Sequence, residues 1–144
     1  MSTLAWSGHH VYFSAFTASG RELWRTDGTA AVLVRDLWPG PGSGVLVGGG
    51  LISDGFGFAF AGDDGSGASL WYATGHPTLT FTKLSLRLDS AVMHVGHISS
   101  GSVDFAFSAS SASSGKEMYT YTRGNPPNPP SIRLLDVARG SSSS

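Results

Sequence analysis

Apolar and polar residues alternate with a period of two through much of the chain, in runs too short and too Gly-punctuated for helices. Val11 and Phe13, Phe58 and Phe60, and Phe105 and Phe107 each set two apolar side chains on one face. The opposite face carries Ser14, Ala61 and Ser108, beside Ala59 and Ala106. Alternation of this kind predicts β-strands. A large-residue face backed by a small-residue face predicts sheets that stack, the bulky side of one on the slim side of the next.

Three segments line up at a nearly constant offset: VYFSAFTASGRELWRTDGT, FAFAGDDGSGASLWYATGHPT and FAFSASSASSGKEMYTYTRGN. Phe13, Phe60 and Phe107 are each 47 residues apart; Trp24, Trp71 and Tyr119 follow at offsets of 47 and 48, preceded by Leu23, Leu70 and Met118. In each copy a Phe strand leads through a Gly- or Ser-rich turn to an aromatic strand. A turn around TDGT, TGHP or TRGNPPNPP then leads to a fourth strand, AVLVRDL, LTFTKLSL or SIRLLDV. A short strand before each Phe strand (TLAW, GGLIS, MHVGHIS) completes four per copy. Four short antiparallel strands in a unit of this length is the size of a propeller blade. The expected fold is therefore all-β: three four-stranded antiparallel blade-like repeats of a partial or open β-propeller. They form one domain over residues 1–144, with repeats at approximately 3–44, 45–90 and 91–140 and a Ser-rich tail at 141–144.

Composition agrees with many short strands joined by turns, since only 13% of the 144 residues are charged while 20 are Gly and 7 are Pro. The net charge of −1 is scattered, without a basic run that could follow a phosphate backbone, so nucleic acid is not an expected partner. The lack of Cys removes disulfides, thiolate metal sites and Cys nucleophiles together. MSTLAWSGHHVYF has no charged leader followed by an apolar stretch, so no signal peptide is read in it. No segment approaches the roughly 18 apolar residues of a membrane span, and no membrane insertion is expected.

Residues 22–29 read ELWRTDGT and run directly into AAVLVRDLWPGPGSG; together these resemble the ELWxxDGT repeat family of bacterial surface and secreted proteins. The motif becomes SLWYATGH at 69–76 and EMYTYTRG at 117–124, where the likeness rests on spacing and the FAF strand. The resemblance implies propeller-like β architecture and an extracellular or cell-surface location, and it brings no catalytic residues. Three units are fewer than the typical four to eight blades of a closed ring. The expected partners are therefore further repeat units of a longer parent chain or a second copy of the chain, with a glycan or a surface protein as possible ligand.

Residues kept in all three copies are assigned to packing: Phe13, Phe60, Phe107, Trp24, Trp71 and Tyr119, with the Trp indole N–H groups tied to carbonyls. Features found once are the candidates for contact. These are Trp6, Trp38 in DLWPGPG, and the stiff loop RGNPPNPP with Arg123, Asn125 and Asn128. Against them stands the reading that Trp38 covers its own sheet edge and that the Pro-rich loop is a spacer. Asp27-Gly28 reads as a hairpin turn. Glu22 and Glu117 recur at one repeat position with Ser69 between them, and they would make a pair of glycosidase carboxylates in a central channel only if both copies point into one cleft; the alternative is a strand-end carboxylate that caps a turn or pairs with Arg21 or Lys116. Asp63 and Asp64 in GDDGSG make a candidate Ca²⁺ loop that lacks the later acidic ligand of a full calcium motif, with an ordinary polar turn as the alternative and no other cofactor expected. His94 and His97, three apart on a strand, point to opposite faces and do not form a zinc pair. The expected function is a non-enzymatic binding or structural module of an exported propeller-type protein, with contacts on blade-end loops. The alternatives are a carbohydrate-binding lectin and a glycoside hydrolase-like enzyme.

Overall fold

The computed structural model describes residues 4–47, 50–75, 78–88, 90–100, 103–111, 115–123 and 131–135. Among them there is no helix, and every strand pairing is antiparallel. The first sheet joins β1 (Ala5–Ser7), β2 (His10–Thr17), β3 (Gly20–Thr26) and β4 (Ala31–Arg35) in chain order. β5 (Ile52–Ser53), β6 (Gly57–Gly62), β7 (Ser69–Thr74) and β8 (Thr80–Arg87) form the second. The third holds β9 (Ser90–Ser100), β10 (Val103–Ser111), β11 (Gly115–Thr122) and β12 (Ser131–Leu135). The sheets stay open, each with two edges.

Register follows the sequence landmarks. Phe13 lies opposite Trp24, Phe60 opposite Trp71, and Phe107 opposite Tyr119, so the same cross-strand aromatic pair forms in each sheet. The Phe107 and Tyr119 rings stack with centroids 5.5 Å apart. In the first two sheets the fourth strand is irregular just beside this pair, between Leu23 and Trp24 and between Ser69 and Trp71; β12 pairs without a shift.

The second sheet is packed on both sides, which is why β6 and β7 are buried almost throughout. One face presents Phe58, Phe60, Trp71 and Ala73 to Ala5, Tyr12 and Leu23 of the first sheet, closed over by Leu37, Val45 and Leu51 of the connecting segment. Its other face offers Ala59, Ala61, Leu70 and Tyr72 to Phe107, Tyr119 and Tyr121 of the third sheet. The rings mesh across both seams: Tyr12 and Phe58 are 4.7 Å apart, Tyr72 and Tyr121 5.0 Å. Bulky side chains of one sheet thus lie in the shallow face of the preceding one. Burying aromatic and Leu side chains this way stabilises by about 1.5–3 kcal/mol each.

The connection between the first two sheets is not a free linker. Val45 N–H donates to the Arg21 carbonyl at 2.9 Å, and Arg21 N–H donates to Ser43 Oγ at 3.1 Å. The segment lies so close to the β2–β3 turn that a Cβ on Gly20, whose φ is +87°, would collide with the Gly42 carbonyl. No helix among the described residues is long and apolar enough to cross a membrane.

Candidate functional site

The β5–β6 turn, Asp54-Gly55-Phe56, brings a carboxylate, an aromatic ring and a guanidinium together. Gly55 has φ +87°, a conformation that Gly tolerates, and Asp54 closes the turn by accepting Phe56 N–H at 2.9 Å and Gly57 N–H at 2.8 Å on Oδ1. Its other oxygen accepts the Tyr72 hydroxyl at 2.6 Å. Arg123, at the end of β11 in the third sheet, sets its guanidinium 3.9 Å from that same oxygen. The Asp54 carboxylate is buried, and three hydrogen-bond donors and one guanidinium offset the cost of that burial. Burial, reinforced by the bond to Asp54 and its charge, pushes the Tyr72 hydroxyl well above its ordinary range, so it remains a donor.

Arg123 also lies 4.1 Å above the Phe56 ring, a cation–π contact. Phe56 is 67% exposed. The Phe56 ring, the Arg123 guanidinium over it and the buried Asp54 carboxylate together make an amphipathic contact point that spans the second and third sheets. Nearby, Ser53 Oγ donates to the Trp6 carbonyl at 2.7 Å and ties the edges of the first two sheets, while the Trp6 side chain is also 67% exposed. A pocket of about 140 Å³ between His10, Arg25, Thr26, Asp27, Ala30 and Val32 sits at the turns of the first sheet.

The other residues expected from sequence fall elsewhere. Asn125 and Asn128 lie outside the described residues. Trp38 is 40% exposed; its ring covers Gly42 so closely that no Cβ fits there, and its indole nitrogen abuts Gly65 in the GDDGSG loop. It joins the linker to that loop across the opposite strand ends from Arg123. Within the loop, Asp63 Oδ1 accepts Gly65 and Gly67 N–H groups at 2.8 and 3.0 Å. Asp64 accepts the Ser66 hydroxyl at 2.6 Å and both of its oxygens lie about 3 Å from Lys83 Nζ. These bonds hold the Asp64 carboxyl well below the usual carboxylate range, the Ser66 hydroxyl most of all. No group of three or more metal-ligating side chains occurs among the described residues.

Glu22 is sealed from solvent, accepting Leu37 N–H at 3.0 Å and Gly44 N–H at 2.7 Å. Burial raises its pKa, the two backbone bonds opposing that rise. It fastens the linker to β3. Glu117 is half-buried on β11, with the second sheet between it and the first. Asp27 accepts the Thr29 N–H and hydroxyl at 2.9 and 2.6 Å, bonds that lower its pKa to about 2, and Gly28 has φ +98°, as a turn requires. The Trp71 indole N–H donates to the Gly62 carbonyl at 3.3 Å, whereas that of Trp24 is buried without a partner among the described residues.

Asp54, Phe56 and Tyr72 were not singled out by sequence. The available signal was the Asp-Gly pair at 54–55, the same turn dipeptide as Asp27-Gly28. Comparison with family models, with curated proteins and with solved structures finds no match to this chain.

Proposed function

We propose that this chain is a non-enzymatic binding module whose three sheets are blade-like units of an exported, propeller-type repeat protein of the ELWxxDGT kind. Its contacts are made at the strand ends that carry Phe56 and Arg123, with a protein surface as partner. The observation that supports this most is the exposed Phe56 ring held under the Arg123 guanidinium at 4.1 Å. Aromatic residues and Arg are the side chains that dominate protein–protein contact energies, and a pre-ordered pair loses little entropy on binding. The location at the cell surface rests on the sequence resemblance.

Two other readings find less support in the geometry. A hydrolase built on Glu22 and Glu117 needs two accessible acids in one cleft, and Glu22 is 1% exposed and engaged by two backbone N–H groups. A lectin built on Trp38 needs an open indole face, and Gly42 occupies part of that ring.

The test compares wild type with Phe56→Ala and Arg123→Ala in crosslinking to surface proteins of the source cells, alongside a glycan array that includes Trp38→Ala. Crosslinked partners lost in both loop variants, with a silent array, support the reading. Glycan binding abolished by Trp38→Ala, or partners indifferent to Phe56 and Arg123, would replace it. Hydrolysis abolished by Glu22→Gln and Glu117→Gln would establish the enzyme instead.

A further inference from the structure

The outer faces of the first and third sheets are the two halves of the seam that already forms twice inside the chain. In the first sheet, Val11 and Phe13 share a face with Trp24 by cross-strand pairing. Their counterparts in the second sheet, Phe58, Phe60 and Trp71, fill the seam against the first sheet. In the third sheet, Phe107 and Tyr119 fill the seam against the second. Phe60 and Phe107 are 0% exposed, while Phe13 and Trp24, at the equivalent places in the first sheet, are only half-buried.

The receiving face shows the converse. Leu23 and Leu70, one residue before the aromatic of the seam, are 0% exposed, each under the bulky face of the next sheet. Met118, at the equivalent place in the third sheet, is 42% exposed. On the same face lie Ala106, 7% exposed, and the half-buried Ser108 and Thr120, at the places of Ala59, Ala61 and Tyr72 in the second sheet. A position that is closed in two sheets and open in the third marks a seam with one side missing.

We propose that the outer face of β1–β4 in one copy docks on the outer face of β9–β12 in a second copy, repeating the internal seam between chains. The occupant is another copy because each open face has its complement on the other open face of the same molecule. The contact is heterologous, and two copies related by a two-fold axis make it twice, giving six sheets, within the four to eight of typical closed propellers. This inference rests on the blade-like stacking proposed above.

Sedimentation velocity of the full 144-residue chain across a roughly hundredfold dilution series tests it. The expected species is a dimer of twice 15.0 kDa that dissociates on dilution. Phe13→Asp and Met118→Asp each bury a lone carboxylate in the seam and weaken association by more than about a hundredfold. Val11→Asp and Thr120→Asp replace them if circular dichroism shows that either is unfolded. An equimolar mixture of one variant from each face regains association, because one of the two seams is again intact. A folded chain that is monomeric throughout, face variants that still dimerise, or a mixture that stays dissociated overturns the proposal. The stacking itself is judged separately, by the stability of the monomer to substitution at the internal seam, so its failure and the failure of docking give different results.

Discussion

Leu70 and Met118 occupy the same place in the repeat, and truncating each to Ala measures what a neighbouring sheet contributes. Leu70 is 0% exposed in the cluster with Phe107, Tyr119 and Tyr121. Leu→Ala at such a site removes the transfer free energy of the lost methyl and methine groups and leaves a cavity that rigid aromatic neighbours fill poorly, at about 3 kcal/mol within the usual 2–5. Met118 is 42% exposed, leaves no enclosed cavity, and the loss is about 1 kcal/mol. For 144 residues an unfolding entropy near 0.3 kcal/mol/K turns these into falls in Tm of about 10 °C and about 3 °C. Urea denaturation and calorimetry at a concentration where the chain is monomeric give both values. Equal losses at the two positions would show that Leu70 gains nothing from the third sheet and would refute the stacking. A Met118→Ala penalty that grows with protein concentration would link the same position to the contact between copies.

Two further predictions concern buried polar groups. Asp54→Ala strips acceptors from the Tyr72 hydroxyl and from the Phe56 and Gly57 N–H groups, and is expected to destabilise by about 2–3 kcal/mol, against about 1 for Tyr72→Phe; thermal melts that rank them in the opposite order would contradict the network. For Glu22, burial raises the folded-state pKa above the unfolded value, so the native state holds the proton more tightly. Its contribution is fully present below the unfolded pKa of about 4.3 and is lost as pH rises through the folded pKa. Wild-type stability relative to Glu22→Gln is therefore expected to fall from pH 4 towards neutrality, read from urea melts at each pH; a rise over that window would mean that the backbone bonds outweigh desolvation.

Much of the fold was legible because a strand's side-chain period is two whatever surrounds it. The 47-residue spacing of Phe13, Phe60 and Phe107 became one register, each opposite its Trp or Tyr. The contrast of bulky and small faces became the two seams. The candidate site was less legible. Arg123 was named, but the reason it matters, Phe56 beneath it and Asp54 beside it, comes from a different repeat nearly 70 residues away, and no local pattern encodes that meeting.

The same limit explains Glu22 and Trp38. Motif and spacing made Glu22 a candidate acid and Trp38 a candidate contact. Folding the 36–44 segment back over β3 turned the first into an anchor for two backbone N–H groups and laid part of the second against Gly42. Alternation, turn dipeptides and repeat spacing are properties of neighbours along the chain, so the amino-acid order alone determined strands, turns and their number. Which face is covered and which carboxylate is sealed depend on segments far apart in sequence, and the exposure of Met118 beside the burial of Leu23 and Leu70 was decided only when the sheets stacked.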